Sequence, residues 1–430
     1  MSRVQGWDGH GVSLPGVAQS TLKKIVARNG SGLHSGGVRA ICAPALFTRA
    51  LVQYMESKRI LFVSSLRRYG GGERWMLDTA AGLRERGHDA RLIARPGSVL
   101  AASAPARGIP LTAIEMRGDV DPIAITQFAT QLRRFQPQIV CPNLDREIRI
   151  AAASIRASRA LRPRPVRPRL IPRRGSEFPL KNKRHYRLVY LFDINRVIVN
   201  SEATKRTMVK DAPWFPDDKA VVIYNGIDDT PYDKLGSQRD SLRAKLRGSI
   251  GAPPDAPVVT LVGELNERKQ QRVVIEAAPN VLEKFPNTRI LFVGDGDDRA
   301  TLEKAVRERG LHASIIFTGF RADVPEILMG SDALLLPSRV EGFGYVLVEA
   351  MAAGIPCVAS NVSSIPEIVE DGVTGVLHAV GDSGAIAEAI IALVSDRARA
   401  RAMGEAGARV AREKFTFRRM LDHVEQVFFE

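Results

Sequence analysis

The sequence has few of the features that mark membrane or secreted proteins. None of its 430 residues fall in a run of the ~18–20 apolar residues that a membrane-spanning helix requires. The N-terminus lacks a basic and then apolar segment followed by a small-residue cleavage site. We therefore expect a cytoplasmic protein, and peripheral attachment to the inner face of the cell membrane is compatible with this expectation.

Cysteine and histidine are also scarce. The three cysteines, Cys42, Cys141 and Cys357, lie far apart, which argues against a disulfide framework or a metal cluster. The seven histidines form no evident cluster with acidic residues. The sequence therefore requires neither a metal nor another cofactor.

Charge is distributed unevenly along the chain. Residues 1–54, 55–230 and 231–430 carry net charges of +5, +14 and −4, within a total of +15. The two halves are thus expected to meet different partners. The densest basic run extends from Arg162 to Arg174, where alternating prolines exclude a regular helix. Such a strap suits anionic lipid headgroups, a phosphorylated saccharide or nucleic acid, and a solvated loop is the alternative.

Strand and helix patterns alternate from residue 59 onward. Short apolar runs in both halves are typical of buried parallel strands; they are RILFVSS, ARLIARPG, PQIVCPN, VIVNS, VVTLVGEL, RILFVGDG, SIIFTGF, DALLLPS and PCVASN. Two successive series of this kind predict an α/β protein with two doubly wound parallel sheets, which face each other across a cleft. Ligands are expected at the carboxyl ends of the strands.

The same patterns predict the domain boundaries. The join should follow the segment VIYNGID, residues 222–228, where Asn225-Gly226 interrupts the regular alternation. The last segment has helical spacing at Phe417, Leu421 and Val424, so it could return to pack on the first domain. The predicted segments are an N-terminal extension that could be disordered (1–54), a first Rossmann-like domain (55–230), a second one (231–415) and a C-terminal helix (416–430).

Residues 341–349 carry the clearest functional signal. Glu349 lies in the apolar helical segment VLVEAMAAG, where burial of a carboxylate is costly unless it meets donors such as the hydroxyls of a ribose. Glu341 precedes that helix and is free to turn toward a sugar. The helix should begin near Gly344 and offer unpaired N–H groups to a diphosphate. The segment therefore predicts a nucleotide-sugar site.

The chain from about residue 59 to the end resembles the retaining GT-B glycosyltransferases of family 4. The motifs that carry this likeness are Gly70–Arg74, SEATK from Ser201, NGID from Asn225, Gly263 with Lys269, GDGDDRATLE from Gly294, GFRADVPEIL from Gly319, and the segment from Glu341 to Glu349. The resemblance implies a first domain that binds an acceptor and a second that binds the nucleotide-sugar donor. It also implies retention of anomeric configuration.

The resemblance also implies roles for individual residues. Glu341 matches the acid that holds sugar hydroxyls, Glu349 the ribose ligand and Lys269 the lysine that neutralises the departing diphosphate. The other residues that match donor-binding positions are Gly71, Gly72, Gly294, Gly296, Phe320, Arg321, Gly342, Phe343 and Gly344. Nothing in the resemblance assigns a metal ligand.

The sequence departs from the family pattern at two places. Many relatives have an arginine five residues before the lysine, where this chain has Glu264, so Arg268 or another base should replace it unless Glu264 points elsewhere. Where relatives often have a first-domain histidine, this chain has Arg173 and Arg174. We predict that Arg174 binds an acceptor or donor phosphate at the catalytic centre; His185, nearby in sequence, is another candidate. The run RRGSEFPLK resembles some lipopolysaccharide-core members and favours a glycolipid or saccharide acceptor.

Two other functions remain open at this point. A nucleotide-sugar epimerase has a similar architecture but needs acid and base groups on both faces of the sugar. A noncatalytic protein could sense a nucleotide sugar with its second half and bind a partner with its basic half. The donor base is also open between UDP, GDP and ADP. The expected partners are a nucleotide sugar, a glycolipid or saccharide, and an anionic membrane surface, and no nucleic acid is expected.

Overall fold

The computed structural model describes residues 57–160, 167–175 and 177–430. The extension predicted for residues 1–54 lies outside the described residues, as do residues 161–166 of the basic strap. Cys42 lies outside them too, whereas Cys141 and Cys357 are buried free thiols.

The first domain is an alternating series of strands and helices. Its strands are β1 Arg59–Ser64, β2 Asp89–Ala94, β3 Leu111–Ala113, β4 Ile139–Pro142, β5 Arg169–Leu170, β6 Arg173–Arg174, β7 Val197–Val199 and β8 Ala220–Val222. Its helices are α1 Gly71–Glu85, α2 Val99–Ala106, α3 Pro122–Phe135, α4 Asp145–Ala160, α5 Arg184–Leu188 and α6 Glu202–Val209, with a π-helical turn at Val189–Asp193.

The strands of the first domain are parallel and are buried on both faces. One sheet has the order β3-β2-β1-β4-β5 and the other β6-β7-β8. Leu61 and Val63 point into one apolar core, whereas the alternate residues Ile60 and Phe62 point into another. Because both faces are covered, the strands consist of nearly continuous apolar residues, as the sequence predicts.

The second domain repeats this architecture. Its strands are β9 Val258–Val262, β10 Arg289–Val293, β11 Ile315–Gly319, β12 Ala333–Leu336, β13 Cys357–Ser360 and β14 Gly375–His378. Its helices, with those that lead into it, are α7 Thr230–Leu235, α8 Arg239–Ser249, α9 Gln271–Lys284, α10 Arg299–Glu308, α11 Val324–Gly330, α12 Tyr345–Ala352, α13 Ile365–Ile368, α14 Ser383–Ser395 and α15 Arg397–Lys414. The parallel sheet has the order β11-β10-β9-β12-β13-β14, so the predicted pair of doubly wound sheets is confirmed.

The last helix, α16 Phe417–Phe429, packs on the first domain. Leu421, Val424 and Phe428 join the apolar core that contains Phe62. Gly82 of α1 makes room for it, since a methyl group there would lie 2.8 Å from the Leu421 side chain.

The chain passes between the domains at two neighbouring places. Ile227 donates its N–H to the carbonyl of Phe415 at 2.9 Å, and Phe417 donates to the carbonyl of Ile227 at 2.8 Å. Gly226 lies so close to this second passage that a methyl group would be 2.3 Å from the Thr416 oxygen. The two passages therefore form one hydrogen-bonded hinge beside the cleft.

Candidate active site in the interdomain cleft

Glu341 and Lys269 form a buried ion pair at the carboxyl edge of the second sheet. The Lys269 Nζ atom lies 2.6 Å from Oε2 of Glu341, and Ser338 donates to the same oxygen at 3.1 Å. Arg268 adds a second cation at 3.5 Å. Burial opposes ionisation of Glu341, but Lys269 and then Arg268 outweigh it and hold the pKa of this carboxyl below its usual value. Glu341 is therefore an anion that a bound ligand can use.

Local backbone structure explains how Lys269 reaches this position. Residues Glu267–Lys269 form a 3₁₀ turn that Asn266 caps, because its side-chain oxygen accepts from the N–H of Lys269 at 3.1 Å. The lysine stem then passes over Gly263, where a methyl group would lie 3.3 Å from Cε. Lys269 is consequently fixed beside the carboxyl end of β9.

Glu349 is the second acid, and it contacts the first domain. It projects from α12, and its Oε1 atom accepts from Nη1 of Arg74 at 2.7 Å. Arg74 lies on α1 and also stacks over the ring of Tyr345, 4.6 Å from the ring centre. Burial would lower the pKa of Arg74, but Glu349 reverses this and raises it. Arg74 belongs to the motif Gly70–Arg74 of the sequence analysis, but the sequence does not reveal that its partner is Glu349.

The residues between the two acids form a tight backbone junction. Gly344 adopts φ +87° and precedes the first residue of α12, a conformation that suits glycine. Asn200 of the first domain donates to the Gly342 carbonyl at 2.9 Å. Phe343 is buried between Tyr224, Tyr345 and Phe415, so its side chain is part of the core. A ligand could reach only its backbone.

The glycine-rich loop of the first domain faces this junction. A methyl group on Gly71 would lie 3.3 Å from the Tyr345 ring, and one on Gly72 would lie 2.7 Å from Asn143 Nδ2. Packing against Asn143 thus favours glycine at position 72, and the space beside Tyr345 is tight at position 71. The contact of both glycines with donor phosphates stays a prediction. The loop is nevertheless placed opposite the N-terminus of α12.

A buried polar cluster lies behind the glycine-rich loop. Glu73 accepts from Ser64 Oγ at 3.1 Å and from Asn143 Nδ2 at 3.0 Å, and burial raises its pKa. Arg173 donates to Asn225 Oδ1 at 3.3 Å and stacks 5.5 Å from the Trp75 ring. Among the described residues, the Nε atom of Arg173 has no hydrogen-bond partner, and burial lowers the pKa of this guanidinium. Glu73, Arg173 and Asn225 lie in segments that the sequence analysis names, but the sequence does not show that they meet, because the members of the cluster are spread from residue 64 to residue 225.

The geometry agrees with two family models that match the chain in succession. The model for Glycosyltransferase Family 4 matches residues 69–230, and the model for Glycosyl transferases group 1 matches residues 243–410. The chain belongs to the GT-B glycosyltransferases of family 4.

Curated relatives match about half of this chain. It is 30% identical over 215 residues to the N-acetyl-alpha-D-glucosaminyl L-malate synthase of Bacillus anthracis, which covers 50% of this chain and 55% of that protein. It is 35% identical over 195 residues to a GDP-mannose-dependent alpha-(1-6)-phosphatidylinositol monomannoside mannosyltransferase of Mycolicibacterium smegmatis, which covers 43% and 50%. The chain thus spans about half the length of the curated relatives it matches.

Solved structures share the fold over most of the chain. The Anabaena protein HepE, crystallised in complex with UDP, superposes with a TM-score of 0.74 over 86% of this chain and 99% of its own. The sequence identity is 22%, so this likeness concerns the fold.

The remaining predicted site residues have more varied surroundings. Arg174 is buried in β6, where it pairs with Asp145 and donates to the Tyr190 hydroxyl at 2.9 Å and to the Phe178 carbonyl at 3.0 Å. These contacts neutralise it within the first domain. Its catalytic role stays a prediction, for which these contacts give no support. His185 is exposed and stacks beside Tyr186, with ring centres 4.8 Å apart.

The second-domain loops hold the other predicted donor-binding residues. Gly294 and Gly296 pack against backbone, since methyl groups there would lie 2.1 Å from Gly263 O and 2.3 Å from Leu265 O. Phe320, just after β11, is 83% exposed. The neighbouring Arg321 pairs with Asp323 Oδ1 at 2.7 Å, which raises the pKa of Arg321. Packing within the domain accounts for the two glycines. In the part of the chain that the structure describes, no contact accounts for an aromatic ring as exposed as that of Phe320.

Glu264 does not lie against Glu341 or Lys269. Its half-exposed carboxylate faces Arg68 of the first domain, 3.9 Å from Nη1. Arg268 instead approaches Glu341, so two cations surround that acid. Glu264 therefore points elsewhere, one of the two arrangements that the sequence leaves open.

Proposed function

We propose that this chain is a retaining, metal-independent hexosyltransferase that moves a sugar from a nucleotide-sugar donor to a glycolipid or polysaccharide acceptor. The observation that carries the proposal is the ion pair of Lys269 and Glu341. Glu341 lies just before α12, the helix that carries Glu349. The pair supplies a cation and an anion at the carboxyl edge of the second sheet. A nucleoside diphosphate sugar requires both, since it presents phosphates and hydroxyls together.

Donor binding would redistribute the contacts of this ion pair. The diphosphate attracts the Lys269 ammonium, and the N-terminus of α12 offers further N–H donors. Glu341 keeps its charge, because its pKa is depressed, and turns to the sugar hydroxyls. Glu349 accepts hydrogen bonds from the ribose with the oxygen that Arg74 leaves free. The diphosphate, the sugar and the ribose of the donor then each have a partner.

Phe320 is the candidate for contact with the nucleotide base. An exposed aromatic ring beside a strand end offers a stacking face to a purine or a pyrimidine alike. The base therefore remains to be identified by screening UDP-, GDP- and ADP-sugars for thermal stabilisation, because a ligand that binds the folded state raises its stability.

The chemical step would be a substitution at the anomeric carbon. The acceptor oxygen forms a bond to the anomeric carbon while the bond between that carbon and the diphosphate oxygen breaks. The proton of the acceptor hydroxyl passes to the departing phosphate oxygen. Lys269 stabilises the charge that builds on the diphosphate. Attack occurs on the face that the diphosphate leaves, which retains the configuration. Lysine and helix N–H groups supply the positive charge, so no metal is needed in this step.

A basic and apolar surface on the first domain supports a lipid-linked acceptor. Phe178, Leu188 and Phe192 are exposed, and the same stretch of chain carries the exposed cations Lys181, Lys183, Arg184 and Arg187. Apolar side chains framed by cations suit the interface of an anionic bilayer. Among the described residues, no helix combines the length and the apolar character that a membrane crossing requires. We propose peripheral attachment through this surface on the cytoplasmic face of the membrane.

The same surface leads into the cleft. Glu177, beside Phe178 in sequence, accepts from Ser363 Oγ of the second domain at 2.9 Å. A glycolipid held by its headgroup at the surface would therefore place its sugar near Glu341. Lipopolysaccharide or another cell-envelope glycan is the product class that we propose, in line with the run RRGSEFPLK.

One experiment tests transfer and its rivals together. The donor identified by thermal shift is incubated with enzyme, alone and with a lipid-linked saccharide, in the presence and absence of EDTA, and the products are followed by NMR. We expect an α-glycoside from an α-linked donor only when acceptor is present, and equal rates with EDTA. A changed donor sugar without acceptor indicates an epimerase, and binding without turnover across an acceptor panel indicates a noncatalytic sensor.

Vesicle sedimentation tests the surface. We expect retention on phosphatidylglycerol vesicles, little on phosphatidylcholine, and loss in Phe178→Ala/Phe192→Ala. A matched variant on the second domain, Lys304→Gln/Arg307→Gln, should bind as well as the parent. Equal binding by all three proteins would exclude this surface as the membrane contact.

A further inference from the structure

A cavity of about 650 Å³ lies on the side of the second domain opposite the cleft. Pro257, Ala333 and Pro356 line it, and these residues lie at the amino ends of β9, β12 and β13. Glu341 follows the carboxyl end of β12. A strand of four or five residues separates the two edges of the sheet by roughly 15 Å. The cavity is therefore distinct from the proposed donor site.

Arginine dominates the charged lining of this cavity. Residues 231–430 carry a net charge of −4, yet the lining contains five arginines and three acids. The arginines are Arg239, Arg243, Arg397, Arg401 and Arg412, and the acids are Asp240, Asp332 and Glu405. Positive charge is thus concentrated at one place in a domain that is otherwise slightly negative.

Three of these five arginines have a carboxylate partner. Asp332 already accepts from Arg243 and from the buried Arg247, at 2.7 Å each. Glu405 is paired with Arg401 at 2.9 Å. Arg412 pairs with Asp233 at 3.0 Å. Asp240, the remaining acid of the lining, forms no ion pair within 4.0 Å in the described part of the chain. Arg239 and Arg397 are therefore the lining arginines that are not held in an ion pair.

Arg239 and Arg397 have no carboxylate within 4.0 Å among the described residues. Arg397 donates to the carbonyl of Asp255 at 3.2 Å, and Arg239 donates to the carbonyl of Ala353. Burial lowers the pKa of Arg239, and the nearby Arg243 and Arg401 lower it further. An anion in the cavity would relieve this repulsion.

The uncharged part of the lining is mostly apolar. Met329, Ile355, Leu393 and Val394 form a wall beside the guanidinium groups. The volume is in the range of about 300–1,000 Å³ that is usual for small-molecule sites. An occupant should therefore combine an anionic end with a body that can cover apolar surface.

We propose that this cavity binds a small organic phosphate. Guanidinium groups recognise phosphate oxygens through paired, charge-assisted hydrogen bonds, which neither lysine nor a neutral donor reproduces. Arg239 and Arg397 supply the uncommitted positive charge, and the apolar wall holds the organic body. Ala352, at the end of α12, also lines the cavity, so the occupant touches the helix that carries Glu349. This site is additional to the donor site and does not depend on it.

Isothermal titration with three organic phosphates tests the proposal. The probes are glucose 6-phosphate, glycerol 3-phosphate and adenosine monophosphate, and glucose serves as the uncharged counterpart. We expect submillimolar binding of at least one phosphate and no binding of glucose. Arg397→Gln/Arg401→Gln should weaken that binding at least about tenfold, since hydrogen bonds between charged groups are lost. Both arginines are exposed, so this variant should fold normally.

Two control variants locate the binding. Arg409→Gln changes an exposed arginine of the same helix α15 outside the cavity and should bind as the parent does. Lys269→Ala, in the donor site, should also retain the phosphate. The proposal is overturned if none of the three phosphates binds, if the double variant binds as the parent does, or if Lys269→Ala alone abolishes binding. Titration with UDP tests the donor site separately in each protein, and we expect Arg397→Gln/Arg401→Gln to leave it unchanged.

Discussion

The guanidinium of Arg74 lies 2.7 Å from the carboxylate of Glu349, so a first-domain cation contacts the acid that we assign to the ribose. The two residues are 275 positions apart in the chain. Only one oxygen of Glu349 takes part. The nucleotide can therefore use the other oxygen while the domains stay connected at this point.

Glu349→Gln tests the ribose assignment. We expect it to weaken binding of the nucleoside diphosphate about tenfold or more, because charge-assisted hydrogen bonds to the ribose hydroxyls are lost. Titration calorimetry with the ribonucleotide and its 2′-deoxy analogue measures the effect. The variant should discriminate less between the two ligands than the parent does, and unchanged discrimination would show that Glu349 does not contact the 2′-hydroxyl.

Lys269→Ala tests the role of the ammonium in the chemical step. Loss of a preorganised donor to the departing diphosphate should lower kcat about 10²- to 10³-fold. The matched control is Arg268→Gln, which removes the more exposed of the two cations near Glu341 and should lower kcat far less. Steady-state kinetics with the donor at saturation make the comparison. A kcat within twofold of the parent for Lys269→Ala would exclude the proposed role.

Phe320→Ala tests contact with the base. Stacking of a base on an aromatic side chain contributes about 1–3 kcal/mol, so affinity for the nucleotide should fall roughly five- to 150-fold. The melting temperature of the free protein should not change, because the ring is 83% exposed. Phe192→Ala, at an equally exposed aromatic of the first domain, is the control and should bind nucleotide normally. Normal binding by Phe320→Ala would place the base elsewhere.

His88 predicts how stability responds to acid. Its Nε2 atom lies 3.1 Å from Glu425 of α16, and its Nδ1 atom accepts from the Lys58 N–H at 3.2 Å. Burial lowers the pKa of His88, although Glu425 opposes this, and Lys58 and Arg86 lower it further. The folded state therefore takes up the proton at lower pH than the unfolded state, whose pKa is about 6.5.

The resulting contribution to the free energy of unfolding is fully present above pH ~6.5 and is lost as the pH falls through the lower folded-state pKa. Urea titrations between pH 7.5 and 5 measure it. His88→Gln, whose amide can keep both hydrogen bonds, should show a smaller decrease over this interval than the parent. His423 is exposed on α16, the helix that carries Glu425, and the control variant His423→Gln should behave as the parent does. Parallel curves for the parent and His88→Gln would contradict the prediction.

The long apolar strands and the segment from Glu341 to Glu349 were predictable because each is local in sequence. Strands such as β9 are buried on both faces, which leaves a continuous apolar run. The short strands β3, β8 and β14 were not predicted, since each has only three or four residues and depends on its neighbours for pairing. The hydrophobic pattern of a segment does not show which strands it pairs with.

The two arginines of β6 show where sequence reasoning about the site stops. Consecutive residues of a strand point to opposite faces, so Arg173 and Arg174 have different surroundings although they are adjacent. Arg173 lies behind the glycine-rich loop, whereas Arg174 meets Asp145 and Tyr190. Choosing between them requires the register of β6 against β7, which no motif encodes. The Arg74–Glu349 contact likewise depends on how the domains are juxtaposed.

The paired passages at Ile227 and Phe415 restrict the mechanics of opening. Two linker segments that are hydrogen-bonded side by side resist twisting, whereas a single linker would let one domain rotate freely about the other. The two domains should therefore open by rotation about one axis through this hinge. The glycine-rich loop and α12 should keep the same relative alignment each time the cleft opens and closes.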